Sequence, residues 1–257
     1  MRDVMTRRAF LAAAGAAGAL AHVRPPGVAD DVRADGTAQA APHKTDGTAQ
    51  AAPYRIGQQP LKLGDDRDGL LYVPRGYKAD VAMPLILMLH GAGNTALSVT
   101  YTFEIADDLG FIILAPDSRD EATWDMLLHG FGEDVEFIGA ALKDTYARCA
   151  VDRKRMAIAG HSDGASYSLS LGLGTGDTFG HILAFSPGVM QPAEVHGKPR
   201  IFISHGVSDP IMPIDVTSRR FVPRLKGLGY DVTYREYVGR HGVPSAIVRE
   251  GFQWFIS

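Results

Sequence analysis

The chain has 257 residues, of which 46% are hydrophobic and 21% charged, values ordinary for a soluble globular protein. Its formal net charge is −3 at pH 7, so its surface offers no reason to expect binding to nucleic acid. The length suits one large α/β domain or two small ones. The single cysteine, Cys149, excludes an intramolecular disulfide, and its place at the end of an amphipathic pattern predicts a buried structural thiol.

The first 21 residues have the pattern of an export signal. Residues 6–11 (TRRAFL) resemble the twin-arginine motif, and an alanine- and glycine-rich stretch leads to a small-x-small cleavage pattern at residues 19–21 (ALA). This stretch is too short and too weakly hydrophobic for a membrane span. No cysteine stands directly after the cleavage pattern, so we expect no lipid anchor. We therefore predict a periplasmic or secreted protein without a stable membrane anchor; a basic N-terminus arising by chance is the alternative.

Residues 22–59 form a predicted disordered linker. The string DGTAQAAP occurs at residues 35–42 and again, unchanged, at residues 46–53. Such small polar residues have no apolar face to bury, which indicates a spacer. The predicted folded domain is therefore residues 60–257.

Within that domain, strand-like and helix-like patterns alternate. A hairpin is predicted from residues 61–63 and 70–73. The further predicted elements are strands at 85–89, 111–116, 156–160, 181–185, 200–204 and 232–237, and helices ending near 109 and spanning 133–148, 163–173, 215–228 and 245–256. This alternation predicts an α/β fold with a mostly parallel sheet flanked by helices, whose functional loops lie at the carboxyl ends of the strands.

The central motif is Gly160-His161-Ser162-Asp163-Gly164, which follows a short apolar run and precedes a helix-like pattern of small residues. A strand that ends here would deliver Ser162 to a sharp turn, with its hydroxyl exposed and the helix N-terminus pointing at it. Glycine suits both flanking positions because a Cβ there would collide with neighbouring backbone. We predict a nucleophile elbow; a tight turn with an ordinary capping serine is the alternative.

A nucleophilic serine needs a base, and the base needs an orienting carboxylate. After Ser162 the chain offers Asp209, following the 200–204 strand, and His241, following the last predicted strand. Asp215 is a rival for Asp209, although its place before a helical run suits an N-cap. A second elbow-like string surrounds Ser186, but the proline after it has no N–H to donate to an oxyanion. We predict Ser162, Asp209 and His241 as the catalytic residues.

From about residue 60 onward, the chain resembles the α/β-hydrolases, particularly the phospholipase/carboxylesterase and polyhydroxybutyrate-depolymerase-like esterases. The resemblance rests on YVP at 72–74, GY at 76–77, LHGAG at 89–93, GHSDG at 160–164, HG at 205–206, Asp209, Pro213 and His241. It implies the α/β-hydrolase fold and chain order of nucleophile, acid and histidine. The elbow geometry predicts one oxyanion-hole N–H from Asp163, and the resemblance implies a second from Ala92 or Gly91.

Four histidines are expected at the same sheet edge, namely His90, His161, His205 and His241. A metal site is therefore a hypothesis, but no short-spaced ligand pair is present, and we expect no metal and no cofactor. His90 and His205 close strands and are expected to brace loops through hydrogen bonds.

The predicted site is open to solvent. Only residues 186–199 separate two strands where relatives of this fold carry a cap, so we expect no cap domain and a site suited to small-molecule or polymer esters. Trp124, Met126 and Leu127, with Leu128, are candidates to line an acyl pocket; packing on the core is the alternative. We expect a serine carboxylic-ester hydrolase. The alternatives are amide, thioester or peptide hydrolysis by the same triad, and a non-catalytic binding role. The oligomeric state is not indicated.

Overall fold

The computed structural model describes residues 54–257, which contain one eight-stranded sheet. Its strands are β1 (Gly57–Pro60), β2 (Gly69–Val73), β3 (Met83–Leu89), β4 (Ile112–Pro116), β5 (Val151–His161), β6 (His181–Phe185), β7 (Arg200–Gly206) and β8 (Val232–Tyr237). The strand order is β1-β2-β4-β3-β5-β6-β7-β8. Strand β2 runs antiparallel to β1 and β4, and all other neighbours are parallel, which confirms the predicted mostly parallel sheet.

Within residues 54–257, six α-helices flank the sheet. They are α1 (Phe103–Leu109), α2 (Met126–His129), α3 (Glu133–Arg148), α4 (Asp163–Gly174), α5 (Ser218–Gly227) and α6 (Ser245–Ile256), with 3-10 helices at Ala96–Thr102 and Ile214–Val216. Two of the predicted helices therefore begin with a 3-10 segment. None of the helices within residues 54–257 is long and apolar enough to cross a membrane.

Strand β3 shows how the core is divided between the two faces of the sheet. Leu85, Leu87 and Leu89 belong to the cluster packed against α3, α4 and α5, whereas Ile86 and Met88 belong to the cluster packed against α1 and α6. All five side chains are fully buried. Successive side chains of a strand point to opposite faces, so a continuous apolar run suits a strand covered by helices on both sides.

The first strand differs from the prediction. The partner of β2 is Gly57–Pro60 rather than residues 61–63, so the sheet begins inside the predicted linker. Residues 61–63 instead enter a turn in which Lys62 has a positive φ of 63°. The Asp68 carboxylate accepts the backbone N–H groups of residues 62–64 and so holds this turn. A local carboxylate acceptor thus replaces strand pairing.

Two further predictions concern the domain boundaries. The export signal at 1–21, and the linker up to residue 53, lie outside the described residues and stay predictions. The segment between β6 and β7, residues 186–199, contains neither helix nor strand, so no cap domain is inserted there.

Cys149 lies in the core at 6% exposure, and burial raises the pKa of its thiol to about 11, as suits a structural residue.

Candidate active site

Ser162 lies in a sharp turn between β5 and α4. Its backbone angles are φ 58° and ψ −116°, a strained conformation for a residue other than glycine. The turn is possible because its flanking glycines lack side chains. A Cβ on Gly160 would lie 2.3 Å from the Gly164 carbonyl oxygen, and one on Gly164 would lie 2.4 Å from the Leu89 carbonyl oxygen. These are backbone atoms that cannot move aside, so both positions require glycine.

The structure brings the three predicted catalytic side chains together. The His241 Nε2 lies 2.7 Å from the Ser162 Oγ, and the His241 Nδ1 lies 2.6 Å from the Asp209 Oδ2. The loops that carry the acid and the histidine are joined by the backbone, since Val207 donates to Tyr237 and Ser208 to Gly239. These loops follow the adjacent parallel strands β7 and β8, so both side chains reach the same sheet edge as Ser162.

The Asp209 carboxylate is fully buried and surrounded by donors. Its Oδ1 accepts the backbone N–H groups of Ile211 and Met212, both at 2.9 Å. Burial by itself would raise the pKa of Asp209, but the hydrogen bonds from His241 and from these two N–H groups outweigh it and hold the pKa below its ordinary value. The acid is therefore ionised at neutral pH and can orient the imidazole.

The rival candidates occupy other environments. The Asp215 side chain is 76% exposed and pairs with Arg219 at 2.8 Å; it lies inside the Ile214–Val216 3-10 helix rather than capping a helix. Ser186 has an elbow-like φ of 57°, but it is fully buried. Its hydroxyl lies 3.4 Å from the Tyr237 hydroxyl rather than beside a histidine.

The residues predicted for the oxyanion hole lie beside the nucleophile. A Cβ built on Gly91 would lie 3.5 Å from the Ser162 Cβ, so this loop passes directly against the serine. Ala92 is the second residue of a turn closed by the Asn94 N–H on the Gly91 carbonyl, and Gly93 has a φ of 68°, as in a type II turn.

Three backbone N–H groups near the serine are free to donate. Within residues 54–257, neither the Gly91 nor the Ala92 N–H donates to a protein acceptor. Asp163 is the first residue of α4, so its N–H has no acceptor inside the helix. These groups have the chemistry that an oxyanion requires.

The predicted acyl-pocket residues do not form one surface. Trp124 is fully buried and Met126 is 8% exposed; both belong to the hydrophobic core, whereas Leu127 is 43% exposed. The indole N–H of Trp124 donates to the His90 carbonyl at 3.0 Å, which fixes the ring beneath the loop after β3. The structure thus favours core packing for Trp124 and Met126, whereas Leu127 and Leu128 are exposed and remain candidates.

Buried carboxylates hold the loop that carries Trp124, a feature that the sequence analysis missed. The Asp163 carboxylate accepts the Thr123 hydroxyl at 2.5 Å and the Trp124 N–H at 3.1 Å, and burial raises its pKa. Asp125 and Asp134 accept each other's backbone N–H groups at 2.7 and 3.0 Å. The signal available in the sequence was the presence of acidic residues among buried apolar ones. The loop is therefore anchored to the elbow and to α3.

The other three histidines expected at this sheet edge are engaged in hydrogen bonds. The His161 Nε2 lies 2.9 Å from the His241 carbonyl oxygen, and the His90 Nε2 accepts the Ser118 N–H at 3.0 Å. The His205 Nε2 lies 2.7 Å from the Met212 carbonyl oxygen. No group of three His, Cys, Asp or Glu side chains in residues 54–257 is arranged to hold a metal ion, which leaves the metal hypothesis without a site there.

The strand order of the sheet, the sharp turn at Ser162 and the flanking helices together define an α/β-hydrolase fold. Solved structures share this fold: esterase PE8 has a TM-score of 0.59 at 21% identity, covering 73% of this chain and 97% of its own. The acetyl xylan esterase from Aspergillus awamori has a TM-score of 0.60 at 15% identity, covering 78% of this chain and 100% of its own.

Sequence comparison identifies the family. The family model described as putative esterase matches residues 61–205, and the chain belongs to this family. Among curated proteins, the probable feruloyl esterase C of Aspergillus flavus is 30% identical over 173 residues. The match covers 62% of this chain and 63% of that relative, so the chain spans less than two thirds of its length.

Proposed function

We propose that this protein is a serine carboxylic-ester hydrolase in which Ser162 is the nucleophile, His241 the general base and Asp209 the orienting acid. The observation that carries the proposal is the unbroken chain of short contacts, 2.7 Å from Ser162 to His241 and 2.6 Å from His241 to Asp209. A serine hydroxyl is a weak nucleophile at neutral pH, and this arrangement supplies what it lacks.

The reaction has two steps. The His241 Nε2 takes the hydroxyl proton as the Ser162 Oγ attacks the ester carbon, and the same proton then goes to the leaving alcohol. Water, activated by the same imidazole, next attacks the acyl-enzyme and releases the carboxylic acid product. Throughout, Asp209 keeps the Nδ1 proton directed toward its carboxylate and stabilises the imidazolium. No step uses a cofactor.

The negative charge of each tetrahedral intermediate requires donors that are already in place. We assign this role to the N–H of Asp163 and to an N–H of the Gly91–Ala92 turn, which lies against the serine. The dipole of the twelve-residue helix α4 adds to the same effect, because its positive end faces the oxyanion.

The proposed substrates are carboxylic esters whose acyl or alcohol part can be large. The absence of an inserted segment in residues 186–199 favours an open site. The name feruloyl esterase in a 30% identical relative, and family membership, support oxygen esters as the first class to test. Small esters and esters attached to polymers both fit an uncapped site.

The test is hydrolysis of p-nitrophenyl esters with acyl lengths from C2 to C12 and of methyl ferulate, by the wild type and two variants. Ser162→Ala should lose at least about 10³-fold in kcat, since the triad acts as a unit. Ser186→Ala is the matched control, because it removes the other elbow-like hydroxyl; it should retain wild-type kcat. Loss in the control with activity in Ser162→Ala would contradict the assignment. Activity on thioesters or amides without ester hydrolysis would change the proposed substrate class but leave the assignment of Ser162 as the nucleophile intact.

We also propose that residues 1–21 direct export through the twin-arginine route and that residues 22–59 act largely as a spacer. The support is the TRRAFL string and the repeated DGTAQAAP string. Replacing both Arg7 and Arg8 by lysine should leave the protein in the cytoplasm of a bacterial host, whereas the wild type should reach the periplasm or medium. Equal export of both proteins would contradict the signal assignment.

A further inference from the structure

A second histidine, besides His241, lies against the triad acid. His205 belongs to β7 and is fully buried, and its Nε2 lies 3.1 Å from the Asp209 Oδ2. The same carboxylate oxygen lies 2.6 Å from the His241 Nδ1. One oxygen of the acid is therefore shared between two imidazole rings.

The protonation state of His205 follows from its other contacts. Its Nε2 lies 2.7 Å from the Met212 carbonyl oxygen, which can only accept, so Nε2 carries the proton. Its Nδ1 lies 2.7 Å from the Ser218 Oγ. Burial lowers the pKa of His205, so the ring is neutral and the Ser218 hydroxyl donates to Nδ1. The Nε2–H is therefore shared between two acceptors, the Met212 carbonyl at 2.7 Å and the more distant Asp209 Oδ2 at 3.1 Å.

The Met212 backbone connects His205 to Asp209. Its N–H donates to the Asp209 Oδ1 at 2.9 Å, while its carbonyl accepts from His205. The acid, the methionine backbone and the second histidine form a closed ring of contacts. Among residues 54–257, the one other side-chain donor on the Asp209 Oδ2 is His241, the group that the acid must orient.

We propose that His205 is a positioning residue that holds the Asp209 Oδ2 in place for His241 through its Nε2–H. This inference rests on the proposed hydrolase function. Small displacements of a catalytic group reduce turnover strongly. The Asp209 carboxylate acts mainly in the transition state, where the His241 imidazolium forms, so its position should affect kcat rather than substrate binding. Loss of the donor should lower kcat and leave KM unchanged.

Two amide substitutions separate this role from simple bracing of the loop. In His205→Gln the amide nitrogen reaches the place of Nε2 and can donate to both the Met212 carbonyl and Asp209. In His205→Asn the shorter amide reaches only the place of Nδ1, so it keeps the Ser218 partner and loses the acid. His205→Leu loses both partners.

The experiment measures kcat and KM for each variant with p-nitrophenyl acetate, with active sites counted from the burst of p-nitrophenol. We expect His205→Gln to stay within about threefold of the wild-type kcat, and His205→Asn and His205→Leu to lose about 10–100-fold, the range for a hydrogen bond to a charged group. KM should be unchanged in all three. Equal kcat in all variants, or retention by Asn with loss by Gln, would overturn the proposal. Melting temperatures identify variants that fail to fold.

A measurement on the wild type tests the protonation state of His205 without relying on catalytic activity. Nitrogen-15 NMR of the imidazole groups should show His205 as a neutral ring with the proton on Nε2, and a far-downfield proton for the His241 Nδ1–H. A His205 proton on Nδ1 alone would refute the proposal. If the wild type hydrolyses no ester, the proposed function fails, and this spectrum still decides the role of His205.

Discussion

Replacing Asp209 by asparagine tests the triad most sharply, because the groups in residues 54–257 that hydrogen-bond this carboxylate are all N–H donors. The Oδ1 accepts two backbone N–H groups at 2.9 Å, and the Oδ2 faces His241 at 2.6 Å and His205 at 3.1 Å. Asparagine has one acceptor oxygen. The two backbone donors will take it, so the new NH₂ group will face the His241 Nδ1.

The consequence is a change of tautomer. Facing an NH₂ donor, the His241 Nδ1 must accept, so the ring proton moves to Nε2, and the ring can no longer take the proton of Ser162. In a serine protease this tautomer change lowers kcat about 10⁴-fold, and we expect a loss of about 10³–10⁴-fold here. The buried mismatch should also lower the free energy of unfolding by about 1–3 kcal/mol.

The assay is p-nitrophenyl acetate hydrolysis at saturating substrate, combined with urea unfolding. Asp215→Asn is the matched control, because Asp215 is the rival acid, is 76% exposed and pairs only with surface arginine. We expect its kcat within twofold of the wild type. The reasoning is refuted if Asp209→Asn keeps more than about a tenth of the wild-type kcat, or if the control loses as much.

Three further predictions follow from the same geometry. Ala92→Pro fits the second position of a type II turn but removes an N–H proposed for the oxyanion hole, so its kcat should fall about 10²–10³-fold. Ala92→Ser keeps this N–H and should have a kcat near that of the wild type. Equal kcat values for the two variants would exclude the Ala92 N–H from the oxyanion hole. Gly160→Ala places a Cβ 2.3 Å from the Gly164 carbonyl oxygen and should lower the unfolding free energy by about 1–3 kcal/mol or more, whereas Gly76→Ala meets open space and should be neutral; equal urea midpoints would contradict this. Burial raises the pKa of Asp134 to about 6, so the folded chain binds this proton more tightly than the unfolded chain, and the stability it contributes below about pH 4 is lost as the pH rises to about 6. The unfolding free energy of the wild type minus that of Asp134→Asn should therefore fall by about 2–3 kcal/mol across this range, and a flat difference would refute the pKa shift.

The sequence by itself determined the features that depend on local pattern. Continuous apolar runs such as β3 indicate strands covered on both faces, and their alternation with helical patterns indicates the mostly parallel sheet. The Gly-x-Ser-x-Gly string identified the turn around Ser162 because glycine is needed where a Cβ would lie within 2.4 Å of backbone oxygens. The positions of Asp209 and His241 after successive strands placed them at the same edge.

Only the tertiary structure decided which partners the side chains in loops and at strand ends find. Residues 61–63 look like a strand, but the Asp68 carboxylate turns them away and leaves Gly57–Pro60 to pair with β2. Trp124 looks like a pocket residue, yet its indole N–H finds the His90 carbonyl 34 residues away and the ring is buried. His205 closes a strand in the sequence, and nothing local shows that its N–H faces the triad acid. Hydrophobic periodicity reports which face of an element is buried, whereas hydrogen-bond partners in loops depend on where the packed sheet brings distant chain segments.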